Sequence, residues 1–450
     1  MAQSAKSDRG FIFLIICCVI AAALTTLVIA DGVLHRSGFL RDRALVSALA
    51  EAFDKFPSQI TPQDMAGVRV LFIERNVQFD PMGQQVQQGF ILTIGHEQAA
   101  QFFRNTQEDP DFVDENVEDY FITVHSDDDI QDFSSFAYFT GLEFVNISFQ
   151  PAMRDIKFME GMGSLHFLSM ELVPVADFSP LGGLHGLNSL TLAGVDVGDM
   201  GFLAGLANLE TLTLVSNDIS DVGGLAGLES LRNLNLSNNA IEDISPLGGL
   251  AGLERLFIGR NSITSTGALG RLANLTELNI SENPLDDLSG LANLGSLETL
   301  VAEDAQVSDV SPLAGLRSLS TLILSGNYIY DISPLADLAA LETLGIDGNL
   351  VEDISPLAPL GNSLTQLSAA HNMIEDVGIL ADFALLEQLA LDGNLVEDWE
   401  PVEALMERLG DALHVSGIGA QAHDWDMDWG DEDWDWDDID WDDWDEDWDE

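Results

Sequence analysis

From about residue 165 onward, apolar and polar positions follow one phrase, L-x-x-L-x-L-x-x-N-x-I-x-D-I-S-P-L-x-x-L, with its clearest copy at residues 231–247. The first strand leucine returns at Leu168, Leu190, Leu212, Leu234, Leu256, Leu278, Leu300, Leu322, Leu344, Leu367 and Leu389. The step is 22 residues throughout, except for 23 between Leu344 and Leu367, where Gly361 and Asn362 add one. Leucine at alternating sites predicts a short strand with one face inward and the residues between facing out. Eleven copies at so constant a step predict a stacked array, because no single unit could bury its own apolar face.

Two polar positions keep the same beat. Five residues after the first strand leucine stands an asparagine: Asn217, Asn239, Asn261, Asn283, Asn327, Asn349, Asn372 and Asn394. Its amide both donates and accepts, so a stacked ladder of them suits a buried turn whose backbone groups lack partners. Val173, Val195 and Ala305 replace it in three copies, whose turns must be satisfied in another way. Four residues further comes an aspartate, in Asp177, Asp199, Asp221, Asp243, Asp287, Asp309, Asp331, Asp353, Asp376 and Asp398, with Ser265 as the one break. Aspartate before Ile-Ser-Pro-Leu reads as a cap on a short helical turn, with proline at its start. A calcium ladder is the competing reading. One carboxylate per turn offers few ligands to an ion that takes six to eight oxygens.

This is the signature of a leucine-rich repeat, and the D-I-S-P-L phrase at 243–247, 331–335 and 353–357 resembles the 22-residue repeats of internalin-type bacterial surface proteins. The resemblance covers roughly residues 165–405. It implies a right-handed curved β/3₁₀ superhelix with a parallel sheet on its concave face, and protein recognition through that sheet. No immunoglobulin-like module and no cell-wall sorting signal is recognisable after the repeats, so the family's host-cell adhesion roles are not carried over. Degenerate repeats are expected upstream: residues 132–136 (DFSSF) echo 177–181 (DFSPL), and Val145–Ile147 and Ile122–Val124 fall where strands belong.

Before the repeats the pattern changes. Residues 41–56 show helical spacing, 68–74 and 90–95 read as strands joined through a turn at 81–83, and 96–103 read as a helix. A small α+β cap or membrane-proximal domain is expected here. Residues 11–30 carry no charge and are long enough to span a bilayer, longer than the apolar core of a typical cleaved signal. The expected organisation is a tail at 1–10, a transmembrane anchor or signal at 11–30, a cap at 31–119, the solenoid at 120–410 with its first two or three repeats degenerate, a linker at 411–423 and an acidic tail at 424–450. Export of the C-terminal bulk to the periplasm or cell surface is expected. Arg36, Arg41 and Arg43 offset Lys6 and Arg9, which leaves a cytoplasmic-facing orientation open.

Charge narrows the partners. Lys and Arg total 17 against 76 Asp and Glu, a formal net charge of −59, with lysine only at 6, 55 and 157. Such a field repels nucleic acid and anionic lipid and suits a basic protein, divalent cations or a salty habitat. It also simply keeps a leucine-rich chain soluble. Chemistry is hard to find. The only cysteines, Cys17 and Cys18, lie in the apolar run, and the eight histidines are scattered. His96 and Glu97 begin like a zinc-protease helix that lacks its second histidine. No phosphate-binding loop or nucleophile elbow is present. We therefore expect a monomeric, non-enzymatic protein without cofactor or metal.

The outward positions of the strands are mostly small or polar. The strand at Leu256 differs, presenting Arg255, Phe257 and Arg260 between Asn233, Asn235 and Asn238 on one side and Glu277, Asn279 and Glu282 on the other. Val301 and Ile323 add apolar area further on. Arginine and aromatic residues are what interface centres are enriched in; variable surface decoration is the alternative. The tail concentrates seven of the eight tryptophans among 17 acidic residues from Asp424 on. Trp441, Trp444 and Trp448 share a helical face, which suits an arm that orders on a cationic partner. A solvating or ion-collecting tail, or one folding back on Arg255 and Arg260, are the other readings. Protein binding through the concave sheet, with the tail as second contact, is the expected function. The alternatives are an acidic envelope spacer without a ligand, or an enzyme in the N-terminal region.

Overall fold

A computed structural model describes residues 42–75, 78–79, 85–87, 90–108, 117–126, 128–285 and 287–416. The apolar run at 11–30, the turn at 81–83 and the tail with Trp441, Trp444 and Trp448 lie outside the described residues. Among those described, no helix is long and apolar enough to cross a membrane.

The repeats stack into a solenoid with one continuous parallel sheet. Strands β6 (Phe144–Ser148), β7 (Phe167–Glu171) and β8 (Ser189–Ala193) are followed by nine three-residue strands, from Thr211–Thr213 to Gln388–Ala390, and by His414–Ser416. Register is fixed by leucine on leucine: Leu234 sits beside Leu212 and Leu256, and the series runs on to Leu389 beside Leu367. The central leucines are buried, as are the second strand positions Leu214, Leu236, Ile258 and Ile280. The 23-residue step is absorbed in the turn after Ser355–Leu360, and the pairing of Leu344 with Leu367 is kept.

Opposite the sheet, each repeat but the last makes one short 3₁₀ turn, and its aspartate stands two residues before the first residue of most of them. In the D-x-S-P-L copies the carboxylate accepts the N–H of the first helical residue, as from Ser245 to Asp243, Ser311 to Asp309, Ser333 to Asp331 and Ser355 to Asp353, all at 2.8 Å. Asp221 accepts likewise from Gly223 at 2.8 Å, and the Ser265 hydroxyl does so for Gly267 at 3.3 Å. The same bond occurs upstream, from Ser134 to Asp132 and from Lys157 to Asp155, so the cap precedes the clear repeats. Hydrogen bonds from the serine hydroxyl and then the serine N–H hold the carboxyls of Asp177, Asp243, Asp287 and Asp331 below the ordinary aspartate value.

The N-terminal region is not a separate body. Its strands β1 (Val70–Arg75), β4 (Phe90–Gly95) and β5 (Phe121–Ser126) extend the solenoid sheet, with β1 parallel to β6 and β4 and β5 following antiparallel, while β2 (Gln78–Phe79) and β3 (Gln85–Gln87) pair apart from it. Helices α1 (Arg43–Ala52) and α2 (Pro62–Ala66) bury Leu45, Leu49 and Met65 in the same core that runs through the repeats to Leu405. One expectation needs correction, and another is borne out with a longer range. Residues 122–124 form a strand, but an antiparallel one at the sheet's far edge rather than the first parallel repeat, so the repeats themselves start at Phe144, with β1 as their parallel neighbour. The helix expected at 96–103 runs from Glu97 to Glu108 (α3) and lies on the sheet itself. Its Phe103 meets Phe72, Phe121 and Phe144 at ring separations of 5.7, 5.8 and 5.1 Å, on the strand face opposite Leu71, Ile73 and Val145.

Candidate recognition face

The turn that follows each strand is built by the asparagine ladder. Asn283 is 2 % exposed; its Nδ2 donates to the carbonyls of Ile280 and Ser281 in its own repeat and of Ile258 in the preceding one, while its Oδ1 accepts from Ile263 N–H. Asn217, Asn239, Asn261, Asn327, Asn349, Asn372 and Asn394 repeat this two-repeat bridge. Where Ala305 replaces asparagine, backbone takes over, and the N–H of Leu285 goes to the Ala305 carbonyl. The N–H groups of Val195 and Ala305 still donate to the asparagine of the following repeat, Asn217 and Asn327. Gln150, 3 % exposed, stands at the ladder position of the first repeat and donates to Ser148 O. Sequence reasoning passed over it because its strand lacks leucine.

The residue before the ladder position turns the chain through a left-handed conformation. Phe149, Leu172, Ser216, Asn238, Arg260, Glu282, Asp304 and His371 all have φ between 48° and 58°, and Gly194, Gly326, Gly348 and Gly393 fill the place elsewhere. For residues other than glycine this costs roughly 1–2 kcal/mol. Arg260 and Glu282 therefore occupy positions where glycine would be easier.

The concave surface begins beyond α3. Phe167 lies beside Phe144 under the helix side of the sheet, and Ser189, Thr211, Asn233 and Arg255 continue that column into the open. In the next column Asn235, Phe257, Asn279, Val301, Ile323 and Gly345 are direct neighbours, with Phe257, Val301 and Ile323 half-buried. Absence of a side chain at Gly345 gives Ile323 its room, since a Cβ there would stand 3.2 Å from Ile323 Cδ1.

The arginines are not bare cations. Arg255 faces Glu277 at 3.6 Å, Arg260 Nε donates to Glu282 at 2.7 Å, and Arg232 pairs with Glu254, each one repeat on. The asparagines are similarly occupied: Asn235 and Asn279 accept from the N–H groups of Ser237 and Ser281 at 3.0 Å, and Asn238 Nδ2 donates to the Ser216 hydroxyl at 2.8 Å. The structure thus joins Arg255, Phe257, Arg260, Asn235, Asn238, Asn279 and Glu282 on one continuous face, with their polar groups largely paired among themselves. Beyond them burial, followed by the negative charges of Asp304, Asp347 and Glu282, raises the Glu303 carboxyl above the usual glutamate value. Among the described residues no group of three or more His, Cys, Asp or Glu could hold a metal ion.

A family model described as leucine-rich repeats (2 copies) matches residues 207–249, 251–293 and 317–359. Among solved structures, an internalin (inlF) from Listeria monocytogenes is similar at 26% identity and TM-score 0.60, over 65% of this chain and 85% of that one. A leucine-rich-repeat protein of Leptospira interrogans is similar at 19% identity and TM-score 0.52, over 63% and 86%. The functional domain of InlJ from Listeria monocytogenes, whose description includes a cysteine ladder, is similar at 17% identity and TM-score 0.50, over 64% and 70%. The last two share the fold alone. No curated protein matches in sequence. With its 22-residue D-I-S-P-L period, its parallel sheet and these likenesses, the chain carries a leucine-rich-repeat solenoid similar to those of the internalins.

Proposed function

We propose that this chain is a membrane-anchored binding protein, exposed on the exported side, that recognises a protein through its concave sheet. The observation that carries the reading is the half-buried Phe257 between Arg255 and Arg260, continued by Val301 and Ile323 on a face that α3 leaves open. An aromatic side chain ringed by charged groups that already satisfy one another offers a partner apolar area with little desolvation cost. The apolar run at 11–30 would supply the anchor. The Trp-rich acidic tail would supply a second, electrostatic contact to a basic partner, and two linked weak sites raise affinity together. Nothing in this reading needs a catalytic group, a cofactor or nucleic acid.

A spacer function is the second reading, and the ion pairs favour it: each arginine on the face is already matched within the chain. The two separate in a pull-down from native envelope extract with the full-length chain. It is run beside a variant carrying Arg255→Glu, Phe257→Asp and Arg260→Glu, and beside one ending before Asp424. A protein retained by the wild type and lost with the concave variant supports recognition there. Loss on truncation alone moves the function to the tail. Identical capture by all three leaves the spacer.

A further inference from the structure

We propose that a second docking surface runs along one flank of the C-terminal repeats, and that its occupant is a basic amphipathic helix of a partner protein lying parallel to the solenoid axis. Tyr328, Leu350, Met373 and Leu395 each follow a ladder asparagine and stand 58, 42, 44 and 55 % exposed. Tyr330, two residues on, is 69 % exposed. They occupy one column, because the N–H of each donates to the carbonyl of the preceding repeat: Tyr328 to Val307, Leu350 to Ile329, Met373 to Val351 and Leu395 to Ile374, at 2.8–2.9 Å. In earlier repeats the column reads Asp218, Ala240, Ser262, Pro284 and Gln306. Large apolar side chains enter only in four consecutive repeats. A contiguous apolar row on so acidic a surface is the kind of patch that marks an interaction site.

Its surroundings identify the partner. Residues alternate here, with Val351 and Ile374 buried and Leu350, Glu352, Met373 and Glu375 exposed, so a column of carboxylates borders the apolar one. Glu397 extends it, and Asp353, Asp376 and Asp398 lie next to it. No lysine or arginine occurs between Arg317 and Arg408, while 16 acidic residues do. Unlike the concave arginines, these carboxylates have no lysine or arginine within that stretch of sequence to pair with, and none of them is in an ion pair among the described residues. A second copy or the chain's own tail would bring acid against acid, whereas a partner bearing lysine or arginine beside its apolar face would neutralise it. Neighbouring ranks joined by backbone hydrogen bonds stand about 5 Å apart, as in a β ladder. A helix advances about 5.4 Å per turn, so an apolar residue at every turn meets one repeat each over about three turns.

The test uses the full-length chain in nanodiscs of zwitterionic lipid. The probe is a labelled peptide with leucines on one helical face and lysines on the other, and its control has the same composition with the leucines scattered. The proposal expects the ordered peptide to bind more tightly than the scattered one. Leu350→Ser, Met373→Ser and Leu395→Ser together should weaken it by about tenfold or more, as for loss of an interface's apolar anchors. Glu352→Gln, Glu375→Gln and Glu397→Gln together should weaken it less and flatten its salt dependence. The concave variant and the variant ending before Asp424 should bind as the wild type does, which keeps this result separate from recognition by the sheet. Unchanged melting of the serine variant guards against unfolding. Equal affinity for both peptides, or undiminished affinity in the serine variant, overturns the proposal. So does a wild-type dimer, seen by mass photometry, that the serine variant abolishes.

Discussion

The middle repeats and the C-terminal repeats share one buried frame and differ in what they place on it. Around Leu256 every outward arginine has a glutamate one repeat further on, and the flank column carries Ala240 and Ser262. From Tyr328 to Asp398 there is no lysine or arginine, and the same column turns apolar. The difference teaches that surface chemistry in this solenoid is set repeat by repeat, because each side chain meets only its neighbours at 22-residue spacing, while the core leucines and all but one of the ladder asparagines in these repeats stay constant.

The largest effect should come from the shared frame. Asn283→Ala and Asn349→Ala each strip a buried bridge to several backbone groups, and each should cost about 2–4 kcal/mol in chemical denaturation. Unequal losses would show that the two regions differ beneath the surface as well. Next, Gly348→Ala should cost about 1 kcal/mol from left-handed strain alone, since a Cβ there meets nothing closer than 3.6 Å. In the middle region Arg260→Gly relieves that strain while losing an exposed ion pair worth under about 1 kcal/mol. Its stability should therefore stay level or rise, and a clear drop would mean that Arg260 holds more than Glu282.

The smallest effects are electrostatic. Raising salt should slow amide exchange at Leu350, Met373 and Leu395, where like charges are screened, and leave Ala240 and Ser262 unchanged or slightly faster, where pairs are screened. Equal slowing in both places would remove the charge difference between the regions. Glu303, whose folded value is raised, favours the folded state at acid pH and loses that contribution as pH rises through it. Glu303→Gln should thus stabilise near neutrality and converge with the wild type toward pH 4. The serine-bonded aspartates have the opposite sign: lowered in the fold, they support it above their ordinary value and release that support only in stronger acid.

Much of this was legible in the chain because a 22-residue step forces equivalent residues into equivalent places. The leucine register, the asparagine bridges and the aspartate caps all follow from type and spacing. The left-handed column was hidden, since Phe149, Leu172, Asn238, Arg260, Glu282 and His371 have no shared chemistry beyond tolerating one backbone angle. Pairing between Arg260 and Glu282 is a relation across repeats that a single copy does not show. The antiparallel turn of residues 121–126 was missed because alternation predicts a strand but not its direction. The flank column is readable by aligning the residues after each ladder asparagine, but its apolar character appears only in the last four copies and lies off the strand positions that the leucine pattern marks.

The asparagine bridges point one way. Each side chain reaches from its own turn to carbonyl and N–H groups of the repeat before it, from Asn239 to Leu214 and Ile219 and from Asn261 to Leu236 and Ile241. A turn is therefore finished by residues synthesised some 20–25 positions later. For a chain emerging from the ribosome or threading an export channel amino end first, the newest repeat is always incomplete and is closed only when its successor arrives. Assembly then behaves like a zip whose slider trails the leading end by one tooth.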